Sequence, residues 1–371
     1  MKKINFNNSS SIIFITIAVI YLTGNIFWWY INTPIIPFGP STLHFFDLFK
    51  DSFLYYNAPL ITWIMKGIFF VFGKEYFDLQ IIIMNYFFFL IGLYFIYKTG
   101  LELKDKETGN IAMVLFALTP VVYGLSRQYG HQDWHVMIAM IVNIYCLIKL
   151  NYFNSRKWSV LYGITVGIGL FIKDSFLMYF FIPLLYTLIK GLVEKTDKNK
   201  IINILIAILI GSLIAGCHYF RFEIINKILY EPVTETVPTF TFSSLRVMTI
   251  GLWEELLSPP IFLLFIFGFV WFLRKYKNKN KWILILWFIV PWGIIMFMPS
   301  RKEIDYAAGF VPAMTIFASL WCSSLKKILV KKIILIFCIL ICLLQFLDFS
   351  FGINMKIFSL KTKYKDNEIF Y

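Results

Sequence analysis

Residues 159–189, SVLYGITVGIGLFIKDSFLMYFFIPLLYTLI, form an apolar run of 31 residues whose only charges, Lys173 and Asp174, stand near its middle. A helix of about 20 residues crosses a bilayer, so the run is too long for one crossing. Each half is close to the length of one. Ionisable groups inside a membrane are costly, and a turn at 173–174 brings both charges to one surface. The run therefore reads as a helical hairpin, and the rest of the chain is read outward from it.

The composition agrees. Of 371 residues, 59% are hydrophobic, 20% aromatic and only 15% charged, with a mean hydropathy of +0.72. Soluble domains are less apolar and carry about a quarter charged residues. The net charge of +14 comes from short lysine clusters between apolar runs, the pattern of cytoplasmic loops; nucleic acid is excluded as a partner. The five cysteines, Cys146, Cys217, Cys322, Cys338 and Cys342, all lie in apolar runs without a CxxC pair. They read as small apolar residues, with no disulfide framework and no metal site. The basic start and apolar core of the first 31 residues read as a retained first helix.

Apolar stretches of bilayer length occur at about 10–30, 80–97, 110–126, 134–150, 159–172, 174–190, 201–220, 258–273, 282–298, 309–325 and 333–349. Residues 58–73, APLITWIMKGIFFVFG, are ambiguous, and counting them as a span would reverse every later helix. If they do not span, 21 of the 35 Lys and Arg residues fall on inner segments, including the densest clusters. The positive-inside rule selects that arrangement. The expected fold is thus an all-α polytopic membrane protein with about eleven transmembrane helices, N-terminus inside and C-terminus outside. An interfacial helix lies in the first outer loop, 31–79. The chain is a single transmembrane domain, 1–371. It has a core module over 10–190, further spans over 191–349 with an outer loop at 221–257, and a short tail at 350–371.

This topology sends polar residues from five parts of the chain to the outer face. Asp47 and Asp51 share a helix face among aromatic residues; one reading is solvated charge on an interfacial helix, the other a general base raised in pKa by apolar surroundings. In RQYGHQDWHV, Asp133 stands where a helix should start and is either an N-cap or functional. His131 and His135 have the spacing to share a divalent metal on a helix, but Gly130 argues that the helix begins near Asp133 and leaves His131 in the loop. No metal site is assigned, and whether a divalent metal is needed stays open. Gly163, Gly167 and Gly169 permit close helix packing. Lys173 either snorkels or meets a lipid phosphate. Arg301 and Lys302, in PSRKEIDY, are cations on the side the sorting rule disfavours; they bind phosphate or pair with Glu303 and Asp305. The long loop at 221–257 carries Glu231, Glu235, Glu254 and Glu255, and nothing in the pattern selects among them.

In order, these features resemble the C-type fold of integral-membrane glycosyltransferases, and above all the protein O-mannosyltransferases and lipid A aminoarabinose transferases. Where those families have PPLxxW and a closing FG after an acidic loop, this chain has APLITWIMKGIFFVFG. An Asp opens a later span, here Asp133 in GHQD. A glycine-rich span ends in Lys, here GITVGIGLFIK with Lys173. A basic-Tyr-Pro segment follows late, here Arg301, Lys302, Tyr306 and Pro312. The family's first acid is usually an Asp-Glu pair near the position of Gly39, so Asp47 is a shifted candidate and Asp51 its rival. Ala58 replaces the first proline.

The resemblance implies an enzyme of the outer leaflet of the cell (plasma or inner) membrane. A sugar carried on a polyprenyl phosphate would pass to a lipid, glycan or protein acceptor with inversion. It implies Asp47 as general base, Asp133 as its assistant or as the group orienting the acceptor, and Lys173, Arg301 and Lys302 on the phosphate. Arg127, beside His131, would steer anionic headgroups. Rival readings are a flippase of polyprenyl-linked sugars, which should carry charges near the midplane, and a polymerase or ligase of surface polysaccharide.

Overall fold

In the computed structural model, the described residues are 8–32, 59–73, 77–127, 132–193, 197–219, 245, 247–297 and 304–351. They form α1 (Asn8–Asn32), α2 (Pro59–Phe72), α3 (Phe77–Leu103), α4 (Lys106–Ala117), α5 (Pro120–Leu125), α6 (Gln132–Leu150), α7 (Arg156–Ile172), α8 (Phe176–Val193) and α9 (Lys198–Tyr219). A π-helical segment Val247–Leu256 leads to α10 (Pro259–Lys275) and α11 (Lys281–Phe297). A 3-10 segment Ile304–Phe310 then runs into α12 (Val311–Ser324), and α13 (Ile328–Phe351) follows. There is no strand among the described residues, as expected where lipid offers the backbone no hydrogen bonds. Seven of these helices are long and apolar enough to cross a membrane.

The hairpin read from residues 159–189 is present. α7 ends at Ile172, Lys173 caps it in extended backbone (φ −162°, ψ 141°), and α8 starts at Phe176. Gly169 is required at this turn, since a Cβ there would stand 2.3 Å from the Phe176 ring. α7 also packs along α9. A Cβ on Gly163 would meet the Ala207 carbonyl oxygen at 2.6 Å, and one on Gly167 the Cβ of Ile214 at 2.6 Å. The glycines thus set the approach of the two backbones.

The stretch 110–126, expected as one helix, is broken. α4 is capped by Leu118, and α5 restarts with Pro120 at its first turn. Proline cannot donate to the preceding turn and drives the residue before it out of helical backbone; Thr119 accordingly sits at φ −78°, ψ 127°. Its hydroxyl donates to the Leu115 carbonyl at 2.7 Å, capping the broken end.

Hydrogen bonds between connections sort the helix ends into two groups. At one end, Lys106 donates to Ser9 (2.8 Å), Ser10 to Asn110 (2.9 Å), Lys149 to Glu102 (2.9 Å), Lys279 to Asn151 (2.6 Å) and Lys104 to Ser323 (2.8 Å). This is the basic end. At the other, Arg127 meets Asn25 and Ser350, Asn85 meets the Ser126 carbonyl, and Lys173 meets Asp133. α1 therefore leaves the bundle at the end where α3 re-enters it, as a non-crossing α2 requires. α12, nearly all of it buried, is the central helix, flanked by α4 and α10.

Candidate active site

At the non-basic end of the bundle three of the residues singled out by sequence meet one another. Asp133 is the second residue of α6 rather than its cap, and is 6% exposed. The helix dipole favours a carboxylate in this first turn. Its two oxygens accept from the Lys173 ammonium at 2.8 and 2.9 Å. The side chains are 8% and 19% exposed, so the ion pair is largely shielded from water, and removing either partner alone would strand a charge. The ammonium also lies 4.9 Å from the centre of the Tyr306 ring. Three separate elements, α6, the end of α7 and the 3-10 segment, thus converge on one cation.

Residues without a sequence signal hold this arrangement. The Tyr179 hydroxyl, on α8, donates to the Tyr306 carbonyl. Its ring takes the space beside Gly309, where a Cβ would stand 2.5 Å away. Trp287 Nε1 donates to the Gly309 carbonyl at 3.0 Å. An aromatic residue inside an apolar helix is ordinarily core, so nothing in the pattern separates Tyr179 or Trp287 from dozens of other rings. His135 is buried one turn inside α6, edge-on to Phe88 with centroids 4.7 Å apart.

Arg127 stands elsewhere. It is 1% exposed, its Nε donating to Asn25 and its Nη2 to Ser350, both at 2.7 Å. The rings of Trp28, Tyr123, Phe346 and Phe349 surround the guanidinium at 5.0–5.9 Å. Burial pushes its pKa down to about 10, which leaves it charged at neutral pH. A cation enclosed in this way ties α1 to α13; it does not reach out to headgroups, and the steering role expected of it is not supported. The sequence placed Arg127 in a polar cluster because its neighbours in the chain are polar, whereas its partners come from the first and last helices.

Asp47, Asp51, His131, Arg301 and Lys302 lie outside the described residues. Among the described residues no three His, Cys, Asp or Glu side chains gather as a metal site would need.

A family model for dolichyl-phosphate-mannose-protein mannosyltransferases matches residues 56–216. Its range takes in α2, Asp133 and Lys173. An ArnT from Cupriavidus metallidurans bound to undecaprenyl phosphate superimposes with a TM-score of 0.65 at 12% identity, over 85% of this chain and 60% of that one. The fold is the C-type fold of integral-membrane glycosyltransferases. The same C-type fold relates the chain to the archaeal oligosaccharyltransferase AglB of Archaeoglobus fulgidus, solved with an inhibitory peptide and a dolichol-phosphate. That match has a TM-score of 0.51 and 13% identity, over 93% of this chain and 55% of that one. An undecaprenyl-diphosphooligosaccharide–protein glycotransferase of Campylobacter jejuni is 26% identical over 248 residues, 66% of this chain. The chain spans 28% of the length of that curated relative.

Proposed function

We propose that the chain transfers a sugar, or a preassembled glycan, from a polyprenyl-phosphate-linked donor to a lipid, glycan or protein acceptor at the outer face of the cell membrane. The observation that carries this reading is the shielded Lys173–Asp133 pair under the Tyr306 ring, at the end of the bundle away from the basic connections. The names of the similar proteins, with their polyprenyl phosphates, support the same class of donor.

Departure of a lipid phosphate from an anomeric carbon builds negative charge on the phosphate oxygens. A cation preplaced in a dry site stabilises that charge without reorganisation. In this reading Lys173 supplies it, joined by Arg301 and Lys302 from the segment that leads into the 3-10 turn. Asp47 takes the proton of the attacking acceptor hydroxyl, which displaces the phosphate from the opposite face and inverts the anomeric centre. Asp51 is the alternative base. Asp133 is a positioning residue: with both oxygens on Lys173 it keeps the ammonium aimed. Tyr306 provides a ring face against which the cation can shift from carboxylate to phosphate.

The test is mass spectrometry of surface glycolipids and glycoproteins in a deletion strain, with the purified protein assayed for donor turnover in lipid vesicles. Loss of one glycan class and its return on complementation is the expected result. An unchanged glycan profile, together with no turnover of any polyprenyl-phosphate sugar, refutes the proposal.

A further inference from the structure

Two helices that pack together, α8 and α11, each carry one proline inside, Pro183 and Pro291. Proline has no N–H, so the carbonyl four residues earlier loses its helical donor and the helix kinks there. Those carbonyls belong to Tyr179 and Trp287. They are the same two residues whose side chains hold the 3-10 segment, Tyr179 at the Tyr306 carbonyl and Trp287 at the Gly309 carbonyl. Both are fully buried. In α8 a second feature acts at the same place. The Thr187 hydroxyl donates to the Pro183 carbonyl at 2.8 Å, a back-bond that bends helices.

The outer part of α8, before Pro183, is continuous with the hairpin turn. The Phe176 N–H donates to the Lys173 carbonyl at 3.0 Å and the Leu177 N–H to the Asp174 carbonyl at 3.1 Å. Lys173, the first turn of α8 and Tyr179 thus form one hydrogen-bonded unit. It meets α7 at Lys173, where extended backbone interrupts the helix, and the rest of α8 at Pro183. Asp133, on α6, is outside the unit. A tilt at Pro183 therefore changes the distance between Lys173 and Asp133, while Tyr179 draws Tyr306 along with the cation. Trp287 lies on the basic-end side of Pro291 and anchors the other end of the 3-10 segment at Gly309.

We propose that this unit pivots at Pro183 and that Tyr179 is a positioning residue, keeping the Tyr306 ring over the Lys173 ammonium as the cation turns from Asp133 to the donor. The proposal rests on the reading of Lys173 as the phosphate-binding cation. Its logic is that the ring and the cation travel together, whereas the carboxylate stays behind.

The experiment uses the full chain in nanodiscs. Fluorine NMR reads para-trifluoromethylphenylalanine in place of Tyr306, and donor turnover is measured on the unlabelled chain. Tyr179→Phe keeps the ring beside Gly309 and removes only the donated hydrogen bond. Pro183→Ala returns an N–H to the helix and stiffens the joint. Each variant should shift or split the fluorine resonance. Each should lower kcat about three- to tenfold, the size of one hydrogen bond, with donor KM unchanged and thermal stability not lowered in Pro183→Ala. Neither should add to the loss in a Lys173→Ala background, because both act through that cation. A resonance unmoved in both variants would overturn the pivot, and so would a full further loss on top of an impaired Lys173→Ala. A resonance that responds while Lys173→Ala itself turns over at the wild-type rate upholds the pivot and refutes the role given to Lys173.

Discussion

The ion pair between Asp133 and Lys173 predicts an unequal double-mutant cycle. Consider Asp133→Leu, Lys173→Met and the two together. Lys173→Met strands a carboxylate on a side chain that is only 8% exposed. Breaking a buried pair this way costs about 3–5 kcal/mol. Asp133→Leu strands an ammonium on a flexible stem that is 19% exposed. Such a group can swing toward water, so its loss should sit nearer the cost of one charged hydrogen bond, about 1.5–3 kcal/mol. The double variant removes both charges and should be close to wild type in stability, since hydrophobic replacement of a buried pair is often neutral. The coupling is then the sum of the two single losses, about 4.5–8 kcal/mol, above the usual range for residues in contact. Unfolding titrations in mixed micelles measure all three. Turnover separates from stability, because Lys173→Met and the double variant should both lose about ten- to a hundredfold in rate although the double variant is well folded. Additive destabilisation, or a Lys173→Met variant no less stable than Asp133→Leu, would refute the shielded pair.

The remaining predictions concern sidedness, packing and the acids of the first loop. In a background lacking the exposed Cys217, a cysteine at Lys104 should be protected from an impermeant outer-face thiol reagent and one at Gln128 labelled; the reverse pattern would put the site inside. Gly167→Leu should destabilise by about 1–3 kcal/mol, because its Cβ alone would meet Ile214 at 2.6 Å; an unchanged unfolding midpoint would contradict the α7–α9 contact. Arg127→Lys should lower folded yield without changing the salt dependence of donor KM, since it loses the fixed fork that reaches Asn25 and Ser350; a salt-dependent KM change would restore the steering role. Asp47→Asn should lower turnover by about a hundredfold or more, with Asp51→Asn mild; wild-type turnover in Asp47→Asn would shift the base to Asp51.

Much of the architecture is legible because lipid simplifies the physics. A run too long for one crossing with two charges in its middle has one inexpensive arrangement, and the turn at Lys173 follows from it. The charge asymmetry sorts the loops, and the contacts of Ser9, Glu102, Asn151 and Ser323 group the same connections at one end. The convergence of Asp133, Lys173 and Tyr306 is legible only through the order of the motifs, since no periodicity links positions 133, 173 and 306. The break at Thr119 had its signal in Pro120, which the hydropathy of 110–126 obscures. The partners of Arg127 were illegible for a different reason. Hydropathy reads neighbours along the chain, and its partners Asn25 and Ser350 are about a hundred residues or more away on either side.

Arg127 and Lys173 show how burial assigns work to two cations at the same end of one bundle. Arg127 is closed in by four rings and held by two neutral oxygen acceptors in fixed directions. A planar guanidinium suits such a cage because its donors are rigid, and two of its nitrogens join the first helix to the last. Lys173 is a compact charge on a flexible stem, partly exposed, beside a carboxylate and a ring face. Its ammonium can rotate its three donors toward a second partner. The pair is neutral overall while no phosphate is present, which lets a cation wait in a dry site, and it acquires a use for its charge only when a second anion arrives. On the proposed function, the glycine-rich helix that ends at Lys173 delivers one movable positive charge to the donor's phosphate.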